Sequence, residues 1–546
     1  MSIRRLLSLA LLATAGASAS AEDPTYKEDE AAVAAVEKAG GIVGRGYAVA
    51  RRPGVPPAPA MKDRKDLARG AKNSDLPVIR IDFGSAKVND VTLKALAKPL
   101  GGFKYLAHVA FAGTSVTDTG LKQLAVCEGL TSLEIGPGGI KGTGLKELAD
   151  LSLTTLSVHG TLLSRNGFKA VGSLKKLNSL VLSRSRVTDE DMKAVGELVD
   201  LVSLDLADTT VGDGGLPNLA TLKKLRTLDL SRTRVTGTGL KGLAGLDALA
   251  ALTLDKAPLT DAGLATLPKL PGLVSLDASN TAIAGAGLKG LAGCPKLGVL
   301  KLDSTAVNDA GAANLSACAA LGSLNLNRTK VTDAGMKALA GLTSLYDLDL
   351  GGTAIGNAGL RELTGLKRMN TLNLAKTKVG DIGLVALAEM KGLTTLQLGG
   401  TPVTSAASKH IAEFARLSTL DLSGTKFGDA GLTELTEKLK DIGDLNLANT
   451  PVGESAAKLV AFPNLHSLNL NDSKVPDKAV KEFAALKNLT ALSLARTPVT
   501  AQSLNAISDL REHLYSVDLT GSRFPPAKLR ELRLAMPYTT VTPYVQ

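Results

Sequence analysis

The chain has 546 residues, a formal charge of +11, 3% aromatic residues and no Trp. Its length suggests three or four globular domains. So few aromatics instead favour a core of Leu, Ala and Val packed in layers over an irregular aromatic-filled interior. Arg4 and Arg5 precede the apolar run LLSLALLATAGA, and Ala19-Ser20-Ala21 then leads into acidic, polar sequence. This is the pattern of a secretory leader over residues 1–21, cut after Ala21. The run is too short to span a membrane, and no Cys follows it to carry a lipid. A secreted or periplasmic protein exported by the general route is therefore expected, with no integral membrane segment once the leader is gone.

Residues 22–75 divide in two. EDEAAVAAVEKAGG carries its alanines and valines at helical spacing and stops at Gly40-Gly41, so it reads as a capping helix, with a strand after it. The following stretch RRPGVPPAPAMKDRKDLARGAKNSD is Pro-rich and charged, the composition of a loop.

From residue 76 to 524 one phrase recurs, as in LRTLDLSRTRVTGTGL and LGSLNLNRTKVTDAGM. The second leucine of each L-x-x-L-x-L phrase marks an anchor. There are nineteen, from Ile81 to Val517, mostly 24 residues apart. A period in the range of about 20–29 residues with one short strand each predicts a solenoid, whose core grows by adding coils. Five residues past the anchor, where the strand must turn, the residue is Thr thirteen times and Ser three times. Buried turn amides and carbonyls need partners there. Thr209, Thr233, Thr281, Thr305, Thr329, Thr353 and Thr377 are therefore expected to form a hydroxyl ladder from coil to coil. Residues 525–546, with PPAKLRELRLAM as a last outer helix and YTTVTPYVQ closing the sheet edge, form a C-terminal cap.

The phrase L-x-x-L-x-L-x-x-T-x-V-T-D-x-G-L-x-x-L resembles the cysteine-containing class of leucine-rich repeats, in a bacterial secreted form, with Thr at the ladder position. The resemblance implies an α/β fold: a right-handed horseshoe of about nineteen 24-residue repeats, with a parallel sheet on the concave face and short helices on the convex face. TDAGL would open each helix, with Asp118, Asp189, Asp213, Asp261, Asp309, Asp333, Asp381 and Asp429 as N-caps. TSAASKHIAEFARL from Thr404 and GESAAKLVAFPNL from Gly453 lack the Gly-Leu pair. The family also implies, more remotely, the substrate arm of a ubiquitin ligase, which an exported chain does not suit.

Catalytic chemistry finds no support. Cys127, Cys294 and Cys318 fall at the ends of outer segments with no histidine near in the pattern, so free core thiols are expected and no metal set. GTGLKG and GAGLKG match G-x-G-x-x-G, but neither is followed by a ribose-binding acid in a βαβ unit, so no cofactor is expected. What remains is the surface. Strand positions facing the concavity hold twelve carboxylates against Arg80 and Lys301. Asp205, Asp229, Asp277, Asp349 and Asp421 are among those that stand one residue past their anchors. Asp is a poor strand residue, and neighbouring coils bring like charges together at about 4.8 Å. The acids are either a solvated face or a stripe for a protein or other cationic ligand. The +11 lies elsewhere, on convex lysines and on one rim at Arg184, Arg186, Arg232, Arg234, Arg328, Lys330, Lys376 and Lys378. The expectation is a monomeric, non-enzymatic interaction scaffold without nucleic acid. The alternative is a structural envelope or matrix component holding divalent cations or anionic polymers.

Overall fold

The computed structural model describes residues 30–45, 77–84 and 88–543. The leader 1–21 and the Pro-rich loop therefore lie outside the described residues. The chain forms two compact units, residues 1–157 and 158–546.

In the first unit, helix α1 (Glu30–Lys38) buries Ala32, Val33 and Val36. Strand β1 (Ile42–Arg45) runs antiparallel to β2 (Val78–Asp82). Parallel pairing then carries β2 to β3 (His108–Phe111), β4 (Ser132–Ile135) and β5 (Thr155–Ser157). Phe83 and Phe111 stack with ring centroids 5.3 Å apart. The second unit continues with β6 (Ser179–Val181) to β21 (Thr540–Thr542). Each strand is only three residues long, with a buried anchor between two part-exposed residues in most coils. Consecutive anchors such as Leu276, Leu300 and Leu324 pair in parallel register. Strand β21 pairs in parallel with β20 (Ser516–Asp518).

Strands this short persist because each coil stacks its leucines on the next. Leu225, Leu230, Val235, Leu240 and Leu243, one coil's inward set, are all 0% exposed. The outer segments are mixed: Asp333–Leu339 is α-helical, whereas Leu216–Thr221 and Ala286–Gly293 are 3-10. The two divergent repeats also keep helical turns, 3-10 over Ser405–Ala407 then α over Ser408–Ile411, and 3-10 over Glu454–Ala461.

The N-cap assignment is corrected. Thr117, Thr260, Asn308, Thr332 and Thr404 cap their segments through their own side chains, and the following Asp (Ser405 in the last) is the first helical residue. The carboxylate reaches forward instead. Asp213 accepts from the next coil's Thr236 amide (3.1 Å) and hydroxyl (2.5 Å) and from the amides of Gly237 (3.0 Å) and Gly239 (2.8 Å). Asp118 does the same for Lys141 and Gly144, Asp189 for Gly212, and Asp261 for Ala284, Gly285 and Gly287. Asp309 takes Thr332, Asp333 takes Gly356, Asp381 takes Thr404 and Asp429 takes Gly453. A column of carboxylates on the outer side thus laces coil to coil.

Three coils have Gly where most have this acid, Gly142 in the first unit (φ +91°) and, in the second, Gly237 (φ +105°) and Gly285 (φ +120°). In the last two the preceding carbonyl replaces the carboxylate, Thr236 accepting from Thr260 N–H (3.2 Å) and Ala284 from Asn308 N–H (3.4 Å). A side chain on Gly237 would strike the Gly263 backbone, and one on Gly285 the Gly311 backbone. The glycines of GTGLKG and GAGLKG are therefore consumed by coil-to-coil packing.

Candidate strand-face site

The amides two and four residues past an anchor belong to the sheet ladder: Leu230 N–H donates to Thr253 and Arg232 N–H to Asp255, both at 2.8 Å. The amide between them, Ser231, points away from the ladder and needs another acceptor. Asp229 supplies it, its Oδ1 accepting from Ser231 N–H at 2.8 Å and from the Ser231 hydroxyl at 2.5 Å. The other acids of the set repeat the arrangement: Asp205 with Ala207 (2.9 Å), Asp277 with Ser279 (3.1 Å), Asp349 with Gly351 (2.9 Å) and Asp421 with Ser423 (2.8 Å). Asn325, Asn373, Asn446 and Asn469 hold the same position and make the same bond. Asp in these strands is thus explained by a local side-chain acceptor for the strand-exit amide.

All five acids share one column, but they do not form an unbroken stripe. Only Asp205 and Asp229 are register neighbours. Asp277 is buried and faces Lys301 across one strand step, Nζ to Oδ2 3.2 Å. Lys301 and Asn325 separate it from Asp349, and Asn373 and Gln397 separate Asp349 from Asp421. The face is otherwise a polar lattice: Ser279 donates to Asp303 at 2.6 Å, Ser323 to Asp347 at 2.7 Å and Asn327 to Asp349 at 3.0 Å. Among the described residues no donor reaches Oδ2 of Asp205, Asp229, Asp349 or Asp421, whose Oδ1 alone is occupied. Burial pushes the Asp229 carboxyl above its ordinary value against the Ser231 hydrogen bonds, and Asp205 and Asp277 push it further.

The hydroxyl column is corrected. Thr233 Oγ1 donates to Leu230 O at 2.6 Å, three residues back in its own turn. Thr209, Thr281, Thr305, Thr329, Thr353 and Thr377 bond within their own coils in the same way at 2.6–2.7 Å. Ser185 departs from this, reaching Val158 O of the previous coil at 2.7 Å. The Leu230 carbonyl also accepts the Thr233 amide at 3.3 Å, and the residue between, Arg232, has φ +55°. This is a tight turn whose third residue takes the left-handed conformation. Among the described residues eleven non-glycine residues adopt positive φ, including Arg184, Arg232, Lys256, Arg328, Lys376 and Arg496. Sequence reasoning placed several of these on a rim and missed their conformation. The glycines at the same turn position in other coils, Gly352, Gly400 and Gly424, were the signal for it.

The three cysteines are buried and free. Burial pushes the Cys127 thiol up to about 12 and Cys318 to about 11, and raises Cys294 as well. Among the described residues no three His, Cys, Asp or Glu side chains gather as a metal-ion group, and no helix is long and apolar enough to cross a membrane.

Repeated three-residue parallel strands, each followed by a short outer helix, define a solenoid of stacked coils. A family model described as leucine-rich repeat matches residues 221–244, 318–340, 369–388 and 417–435. The mouse RP105/MD-1 complex is similar over 85% of this chain and 94% of its own, at 12% identity and TM-score 0.52. An internalin from Listeria monocytogenes is similar over 64% of this chain and 88% of its own, at 23% identity and TM-score 0.44. A leucine-rich-repeat protein of Leptospira interrogans covers 81% of this chain and 91% of its own, at 19% identity and TM-score 0.37. A search of curated proteins gave no match. The chain is a leucine-rich repeat protein.

Proposed function

We propose that the protein is a non-enzymatic interaction scaffold, exported as residues 1–21 suggest, whose strand face in the second unit takes a cationic protein or peptide. The observation that carries this reading is the half-occupied carboxylate. In Asp205, Asp229, Asp349 and Asp421 one oxygen is fixed by a backbone amide while the other meets no protein donor. A side chain held by its own backbone loses little freedom on meeting a ligand, which favours binding. Repeat solenoids offer long surfaces suited to extended partners.

The test replaces Asp205, Asp229, Asp277, Asp349 and Asp421 together by Asn. Asn325 and Asn373 show that the amide keeps its strand-exit acceptor, so the fold should survive and only the charge should go. Partners captured from the native envelope by wild type at low salt should be lost by the variant, and a chelator arm separates cation uptake from protein binding. If the variant recovers every partner with unchanged salt dependence, the acids serve the turns alone. Export is checked by N-terminal sequencing, with Glu22 expected first and intact Met1 or Ser2 counting against it.

A further inference from the structure

A concentration of unpaired positive charge in the second unit stands off the strand face. It lies on the edge where the strands end, at the residues four and six past each anchor, which flank the buried turn hydroxyl. In four coils both are cationic: Arg184 and Arg186, the first of them paired with Asp208, and then the six residues Arg232 and Arg234, Arg328 and Lys330, Lys376 and Lys378. All six are exposed. None has a carboxylate within 4 Å among the described residues. On the same edge, among the described residues, only Arg184, with Asp208 at 3.5 Å, and Arg496, with Asp472 at 2.6 Å, are paired. The strand-entry edge is arranged differently. There cations meet acids of the adjacent coil, as in Lys175–Glu197 (2.7 Å) and Lys224–Asp200 (2.5 Å). Part of the charge on the strand-entry edge is thus paired, whereas the six strand-exit cations are not.

The conformation sharpens this contrast. Arg232, Arg328 and Lys376 have φ of +55°, +54° and +57°. Gly and Asn suit that region; a long cationic side chain brings it no local hydrogen bond and carries a cost. The fold alone would favour Gly there, as at Gly352 and Gly400. Those glycines leave room for the cations, since a Cβ at Gly352 would stand 3.1 Å from Arg328 Cγ and one at Gly400 3.2 Å from Lys376 Cγ. The stems therefore lie along the edge. From the Leu228 coil to the Leu372 coil is six strand steps, about 29 Å at about 4.8 Å each. A shallow cavity of about 410 Å³ opens on the same edge beside Lys474, Arg496 and Arg523, and another of about 620 Å³ is of mixed charge, with Arg165, Arg186 and Arg234 against Asp189, Glu190 and Asp191.

We propose that this strand-exit edge is a binding track for a linear anionic polysaccharide. A line of fixed cations fits a chain that presents carboxylate or sulfate groups at intervals along its length. The flanking positions carry no aromatic side chain, so the edge lacks the stacking platforms by which single-stranded nucleic acid is held. Its one-dimensional charge also suits a strand-like polymer better than a lipid surface. This inference uses none of the strand-face acids and stands independently of their role.

The test measures binding of the full chain to heparin and to polygalacturonate, a sulfated and a carboxylated probe, at about 0.15 M salt, where exposed charges are already screened beyond about 8 Å. The edge variant is R232N/R234Q/R328N/K330Q/K376N/K378Q, with Asn at the left-handed positions so that the turns are kept. The control, K193Q/K241Q/K289Q/K337Q/R361Q/K409Q, removes the same six charges from the outer helical face, where all are exposed. The edge variant should bind at least one of the probes at least about tenfold more weakly, with a shallower salt dependence, while the control stays within about twofold. Which probe responds tells the sulfated from the carboxylated source. Equal loss in both variants would reduce the effect to net charge and overturn the proposal. So would wild-type binding to single-stranded DNA or anionic vesicles as tight as to either polysaccharide, or no wild-type binding to either. Unchanged thermal midpoints confirm that both variants are folded.

Discussion

Replacing Asp213 by Ala tests the carboxylate column that joins coil to coil. The substitution leaves the amides of Thr236, Gly237 and Gly239 and the Thr236 hydroxyl without their acceptor. Gly237 and Gly239 are buried and Thr236 is partly exposed, so water can replace some of what is lost. An unsatisfied buried donor costs about 1–3 kcal/mol, and two such donors with partial relaxation put the loss at about 2–4 kcal/mol. Asp213→Asn keeps one carbonyl oxygen and should lose about half as much. Asp247→Ala, at an exposed acid with no hydrogen bond of its own, is the control. Urea unfolding reads the total, and hydrogen exchange at Gly237 and Gly239 shows whether the damage is local, which matters in a repeat protein whose coils can open separately. The pH dependence has a defined sign. Burial raises the Asp213 carboxyl, but bonds from the Thr236 hydroxyl and from the Gly239, Thr236 and Gly237 amides outweigh it and hold the group below 3.8. The charge-dependent part of its stabilisation is present above 3.8 and is lost as pH falls through the lower folded value, so the deficit of the Ala variant should be full at pH 7 and shrink in strong acid to what a neutral carboxyl still accepts. A midpoint and exchange rates matching those of Asp247→Ala would refute the reasoning.

Three further outcomes follow from the same geometry. Thr329→Val removes the 2.7 Å bond to Leu326 O while that carbonyl keeps the Thr329 amide at 3.2 Å; the urea midpoint should report a loss of about 1 kcal/mol, and an unchanged midpoint would count against the turn hydroxyl. Asp229→Asn should raise stability at neutral pH by up to about 1 kcal/mol as repulsion from Asp205 goes, with the sign opposite to Asp213: because the folded value is raised, wild type loses stability as pH rises through it, so the advantage should disappear below 3.8. Cys127, Cys294 and Cys318, buried with raised thiol values, should resist a thiol reagent at pH 8 in the folded protein and all react in denaturant; rapid native labelling of any one would show its burial to be wrong.

The sequence makes the coil legible and conceals the partners within it. Period and leucine spacing locate every anchor, because burial at a fixed interval leaves a mark in residue type. A 24-residue repeat cannot by itself say whether a polar residue bonds inside its coil or to the next one, since both leave the same column. Thr329 and Asp309 illustrate this: the hydroxyl turns back three residues to Leu326, while the carboxylate reaches forward to Thr332. One clue lay in the exceptions. Asn357 and Ser405 stand where most coils have Asp and still accept from Gly380 and Gly428 of the following coil, so the position asks for an oxygen rather than a cap. The local role of the strand-face acids is hidden for a similar reason. Strand propensity speaks of the residue in general, whereas Asp349 is there for the Gly351 amide.

Side chains whose bonding capacity the fold consumes can be separated from those it leaves over. Asp213 spends both oxygens on the next coil, and Asp229 spends one on its own strand and leaves one. Arg232, Arg328 and Lys376 spend nothing: among the described residues they meet no carboxylate, they occupy a conformation in which Gly serves better, and Arg328 and Lys376 stand beside coils where Gly does occupy that position. Charge that stabilises folding should be found paired or hydrogen-bonded, and charge kept for a partner should be found exposed and unpaired. By that criterion the outer carboxylates belong to the fold, and the strand-face acids serve their own strands with one oxygen and would offer a partner the other. The strand-exit cations belong to whatever the protein meets, so their neutralisation should change binding while leaving the urea midpoint unchanged or raised.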